Sequence, residues 1–109
     1  MSKVIELNDD TFKTAIADAP LAFVDFYADW CGPCRLFSPV FSRVAEKHDD
    51  LRFFKIDGDL HAQSRADVTI DNLPFVAAYR NGAFIEGFST TVEAGLESFI
   101  ARMKAKNAK

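Results

Sequence analysis

At 109 residues, 49% hydrophobic and 27% charged, the chain has the length of one domain (residues 1–109) that can bury a core without disulfide staples. A net charge of -3 supplies no basic field for nucleic acid or an anionic membrane surface, and no apolar run nears the roughly 18 residues that span a bilayer. Eleven Phe stand beside two Tyr and one Trp, which points to a dense core with few polar ring atoms to satisfy.

Val4, Ile5 and Leu7 predict a short first strand. Asn8 is placed to cap a helix carrying Phe12, Ala15, Ile16 and Ala19 at helical spacing, which Pro20 closes. Leu21 to Ala28 is an apolar run interrupted by Asp25, the pattern of a strand covered on both faces and the expected centre of a sheet. A helix follows the cysteines, with Phe37, Val40, Phe41, Val44 and Ala45 on one stripe and Pro39 inside it, where a kink is expected. Leu51 to Ile56 reads as a strand and Asp59 to Val68 as a weaker helix. Phe75 to Tyr79 and Ala83 to Phe88 flank Asn81-Gly82, a dipeptide suited to a tight hairpin. Thr90-Thr91-Val92-Glu93 fits a capping box for a last helix that presents Val92, Leu96, Phe99, Ile100 and Met103 on one face and is weakened slightly by Gly95. The order predicts a three-layer α/β domain with a mixed sheet between helices.

Cys31 and Cys34 are the chain's two cysteines, three positions apart. A small secreted domain that depends on disulfides carries more of them, spread along the chain; the Met1-Ser2-Lys3 start also lacks the apolar stretch of a secretory signal, so a cytoplasmic protein is expected. Zinc needs two further ligands, and His48 and His61 have no finger-like spacing, so no metal is expected. A structural disulfide closing so short a loop gains little chain entropy. The spacing alone leaves redox chemistry or two cysteines brought together by chance, and the neighbouring residues argue for the first. A strand ending near Ala28 and a helix starting near Pro33 put Cys31 at a helix N-terminus, where unpaired backbone N–H groups and the dipole favour a thiolate and pull the pKa below the ~8.5 of a free thiol. Cys31 is therefore the expected nucleophile. Cys34, inside the first turn and more covered, is the expected resolving thiol. Pro33 fits a first-turn position that needs no backbone donor, and Gly32 leaves the approach to Cys31 open.

The stretch Phe26-Tyr27-Ala28-Asp29-Trp30-Cys31-Gly32-Pro33-Cys34-Arg35 closely resembles the active-site signature of thioredoxins. The resemblance continues through Val24-Asp25, Pro39, Lys55, Asp59, Leu73-Pro74, Asn81-Gly82 and Gly87. It implies the thioredoxin fold, a central mixed sheet flanked by four helices, and a protein-disulfide reductase working as a monomer on disulfide-containing proteins. It implies that Asp25 is a buried carboxylate moving a proton to and from Cys34, that Lys55 is a charge moderating it, and that Pro74 is a cis-proline beside the cysteines. Trp30, Leu73, Gly87 and Phe88, with Gly32 and Pro33, are implied to line the substrate groove. No cofactor is implied in the chain itself; electrons are expected from a thioredoxin reductase, either NADPH- and flavin-dependent or ferredoxin-linked. The same fold run as an oxidant or isomerase, or as a redox-independent binding subunit, is the alternative. Phe75 stands where thioredoxins usually carry a small polar residue. Asp57-Gly58-Asp59 is more acidic than usual, and Phe88 is bulkier than expected after Gly87. His48 and His61 are expected to be solvated surface residues without a role.

Overall fold

The computed structural model describes residues 3–107. Met1, Ser2, Ala108 and Lys109, the ends of the expected domain, lie outside the described residues. The elements are β1 (Val4–Glu6), α1 (Phe12–Ala17), β2 (Ala22–Tyr27), α2 (Gly32–Ala45), β3 (Arg52–Asp57), β4 (Phe75–Arg80), β5 (Ala83–Ser89) and α3 (Glu93–Asn107). They form one five-stranded sheet in the order β1-β3-β2-β4-β5. β3 runs parallel to β1 and β2, while β4 is antiparallel to both β2 and β5.

The apolar β2 takes the middle position, where neither face meets water: Ala22, Phe23, Val24 and Phe26 are fully buried. Successive side chains point to opposite faces, so β2 feeds two cores. Phe23 goes to the side covered by α2 and α3, stacked on Phe53 at 5.5 Å and edge-on to Phe99 at 5.9 Å. Val24 and Phe26 go to the α1 side, where Phe12 packs against Phe26 and Tyr79. By the same alternation Asp25 shares the α2 side with Phe23, so a carboxylate is carried underneath the helix that bears the cysteines.

The helix ends depart from expectation in instructive ways. α1 is one and a half turns long; the Asn8 side-chain oxygen accepts from the N–H groups of Asp10 and Thr11, shaping the turn before the helix, while Thr11 holds the N-cap position. α2 passes through Pro39 as a single element. The capping box at α3 does not form. The Thr90 hydroxyl accepts from the Val92 N–H at 3.1 Å, but Glu93 reaches across to Arg43 and Lys47 of α2 instead of back to its own cap. Val92, expected in the core, is 59% exposed. Gly95 has a packing reason, because a Cβ there would lie 2.8 Å from the Thr90 hydroxyl.

The expected fourth helix over residues 59–68 is a series of turns, leaving three helices among the described residues. Its backbone donors find other partners. Asp57 accepts the N–H groups of Asp59 and Leu60, Asp9 takes the N–H of Ser64, and Ser64, Ala66 and Val68 close four-residue turns. Aspartate side chains offering such local bonds compete with a continuous helical ladder. The two histidines are also more engaged than expected: His48 contacts Glu97 at 2.8 Å, and His61 accepts from the Asp9 N–H.

Candidate active site

The site grows from the junction between β2 and α2. The chain leaves the sheet after Tyr27, turns with a bond from the Cys31 N–H to the Ala28 carbonyl, and enters α2 with Cys31 as its N-cap. The Cys31 sulfur accepts the Cys34 N–H at 3.2 Å, the part a Ser or Asp oxygen usually plays at a cap. Pro33 falls in the first turn as expected. Cys31 and Cys34 are joined in a disulfide with Cα atoms 5.3 Å apart. When this bond is reduced, the same N–H and the helix end face a sulfur whose anionic form they favour.

Greater coverage of Cys34 was the expected basis for its separate task, yet both cysteines are 4% exposed. What separates them is the space each one faces. Cys31 borders a groove of about 530 Å³ with Trp30, Gly32, Pro33, Ile70 and Leu73 on its walls, and Asp59, Arg65, Asp71 and Asn72 at its polar end. Cys34 borders a different crevice of about 480 Å³, shared with Asp25, Tyr27, Ser38 and Lys55. One sulfur therefore meets the surface where a polypeptide can lie, and the other meets the buried carboxylate.

Asp25 is 2% exposed, and its Oδ1 has no hydrogen-bond partner among the described residues. Burial, the dominant cause, raises its pKa from 3.8 to about 7; Lys55 acts in the lowering direction and Glu6 in the raising one. Lys55 lies opposite Asp25 in the β2–β3 register, so the structure brings together the pair that the sequence suggested.

Around the groove, Trp30 is 70% exposed and its indole N–H donates to Asp59, which pins the ring beside Cys31. Asp59, one of the residues that carry the family resemblance, thereby has a local role at the groove. Leu73 packs against the cysteine cluster, and the Leu73-Pro74 peptide bond is cis. Gly32 has open space in front of it.

Gly87 and Phe88 are not among the residues around the Cys31 groove. Phe88 stacks on Phe99 of α3 at 5.5 Å. Gly87 lies under the ring of Phe75, whose Cζ would be 2.0 Å from a Cβ added at position 87. Phe75 is buried, with Phe26 as its other ring neighbour, so this departure fills the α1-side core and leaves the groove mouth alone. Gly87→Ala is expected to cost about 1–3 kcal/mol through overpacking, measured by urea unfolding, and to cost less in a Phe75→Ala background, where the ring it strikes is gone.

Residues that the sequence did not single out complete the site. Ile70 and Asn72 line the groove, and Glu6 with Tyr27 borders Lys55. Ile70 and Asn72 fall in a segment without periodicity, and Glu6 is brought to the site by strand pairing alone.

A helix-capping disulfide at the end of the central strand, with a groove on one sulfur and a buried acid by the other, defines a thiol-disulfide oxidoreductase. A family model described as Thioredoxin matches residues 3–102. The chain is 34% identical over 89 residues to Thioredoxin-1 of Schizosaccharomyces pombe, covering 82% of this chain and 86% of that protein. It is 30% identical over 100 residues to a thioredoxin of Coprinus comatus, covering 90% and 94%. The solved structure of Plasmodium falciparum thioredoxin superimposes with a TM-score of 0.84 at 25% identity, covering 91% of this chain and 98% of that one. The chain belongs to the thioredoxin family.

Proposed function

We propose that this thiol-disulfide oxidoreductase runs in the reducing direction, as a protein-disulfide reductase and electron carrier of the cytoplasm. The Cys31 thiolate attacks one sulfur of a substrate disulfide held in the groove; that S–S bond breaks, a Cys31–substrate bond forms, and the displaced substrate sulfur leaves as a thiolate. Cys34 then gives its proton to the Asp25 carboxylate and attacks Cys31 Sγ. The second substrate sulfur departs, and the Cys31–Cys34 disulfide remains. Two electrons have moved from the protein to its substrate.

The observation that carries this reading is the division of the two sulfurs between groove and crevice, Cys31 beside Trp30 and Leu73 and Cys34 beside Asp25. A carboxyl with a pKa of about 7 exchanges its proton readily at neutral pH, which suits a thiol that must lose one before it attacks. Lys55, four-carbon-stemmed and at the crevice wall, moderates that affinity. The Leu73-Pro74 segment and Trp30 hold an extended substrate chain against Cys31. A thioredoxin reductase, NADPH-fed through a flavin or ferredoxin-linked, restores the dithiol. The Gly-Pro pair between the cysteines favours the reductant over an oxidant or isomerase.

Reduction of insulin coupled to a thioredoxin reductase and NADPH tests the direction. Catalytic turnover is expected, with a reduction potential well below that of the oxidants of this fold; 30 mV corresponds to about 1.4 kcal/mol for this two-electron couple. A strongly oxidising potential, with no turnover by any reductase, would overturn the reductase reading and leave the oxidant.

A further inference from the structure

Three charged side chains stand in a row across three neighbouring strands. In the pairing register Glu6 of β1 lies opposite Lys55 of β3, and Lys55 lies opposite Asp25 of β2. Directly paired residues project from the same face, so all three emerge on the α2 side. Lys55 therefore has a carboxylate on either hand, one half-exposed and one buried.

The structure shows which of them it takes. Lys55 Nζ is 3.9 Å from Glu6 and 5.9 Å from the centre of the Tyr27 ring, whereas no hydrogen bond or ion pair among the described residues joins it to Asp25. Glu6 is itself held, because the Tyr27 hydroxyl donates to its carboxylate, and Tyr27 borders the same crevice as Asp25 and Cys34. Of the other groups around that crevice, Arg35 of α2 donates to the Asp29 carbonyl, Asp29 adds a further carboxylate to the lining, and β4 offers the apolar Val76 opposite Asp25.

We propose that Glu6 is a positioning residue that draws Lys55 away from Asp25 and thereby favours the protonated form of Asp25 in the oxidised protein. The proposal rests on the reading of Asp25 as the proton carrier for its use in exchange, but not for its effect on Asp25 itself. A lysine free to approach the buried carboxylate favours the anion, since an opposite charge within ~4–6 Å lowers a carboxyl pKa by about 1–3 units. Fixing that lysine on a solvent-side partner removes the option. Glu6 also repels the Asp25 anion directly, a smaller influence than the lowering by Lys55, and the Lys55→Met background separates repulsion from diversion. Glu6 lies on an edge strand and is half-exposed, so replacing its charge is compatible with folding.

The experiment follows the Asp25 carboxyl carbon by NMR titration in the oxidised protein, comparing wild type, Glu6→Gln, Glu6→Asp, Lys55→Met and the double variant Glu6→Gln/Lys55→Met. Glu6→Gln is expected to lower the Asp25 midpoint by about one unit, while Glu6→Asp, which keeps the charge, stays closer to wild type. In the Lys55→Met background Glu6→Gln should do little, because the lysine it controls is gone. An unchanged midpoint in Glu6→Gln would overturn the proposal, and so would an equal fall in both backgrounds, which would mean direct repulsion without diversion of Lys55. The pH profile of insulin reduction separates this from the role of Asp25. If the NMR midpoint falls and the rate profile falls with it, both stand. If the midpoint falls while the rate profile stays, control by Glu6 is upheld and Asp25 is not the proton carrier.

Discussion

Asp25→Asn should stabilise the oxidised protein by roughly 4 kcal/mol at pH 8 and hardly at all at pH 3. Asp25 is buried on the central strand with a pKa of about 7, against 3.8 when solvated. Below pH 3.8 the carboxyl is protonated whether the chain is folded or not, so its burial carries no charge penalty. Between 3.8 and 7 the unfolded chain loses the proton and the folded one keeps it; the folded state then binds more protons, and stability falls as pH rises. Above 7 the folded chain carries a buried anion and the full cost is present. An amide of the same shape has no such titration, so the gain from Asp25→Asn should grow across that window and level off above it. Urea unfolding from pH 3 to pH 9 measures it, and a gain that does not vary with pH would contradict the buried-acid account. The more stable variant should also be a slower one, by on the order of 10²-fold in disulfide exchange, if the proton of Cys34 has lost its acceptor. A residue retained at such a cost to stability is explained by its chemistry.

Much of this arrangement was legible in the residues, where a local signal and the global fold agree. The apolar run around Asp25 announced a central strand because burial on both faces leaves no polar alternation. The spacing of Cys31, Pro33 and Cys34 announced a helix start, and the structure puts the Cys31 sulfur on the cap. The cis bond at Pro74 came from the family likeness, since no local rule predicts it. The failures trace to side-chain partners that periodicity does not reveal, some nearby and some far away in the chain. Residues 59–68 had a faint helical pattern, but the carboxylates of Asp57 and Asp9 captured their donors. Glu93 left its expected cap for Arg43 and Lys47, fifty and forty-six positions away. The involvement of Glu6 with Lys55 needs the β1–β3 register, which nothing in the sequence near either residue reveals.

The largest expected effect of any single change is at Cys31. Its sulfur caps α2 and faces the groove, and without it there is no group beside Trp30 and Leu73 that can open a foreign disulfide. Cys31→Ser should therefore bring insulin reduction down to the uncatalysed background. Cys34→Ser should behave differently, because the first attack remains possible and only the release is blocked. Its Cys31 forms a bond to the substrate and has no neighbouring thiol to break it, so a mixed disulfide accumulates. The two substitutions thus give inactive proteins with different products, although both cysteines are equally buried. The direct test is mass spectrometry of each reduced variant after exposure to a disulfide-containing protein under non-reducing conditions. The division of labour between groove and crevice predicts a substrate adduct on Cys31 of Cys34→Ser and next to none on Cys34 of Cys31→Ser. Adducts of equal yield on both variants, or a greater yield on Cys34, would contradict it.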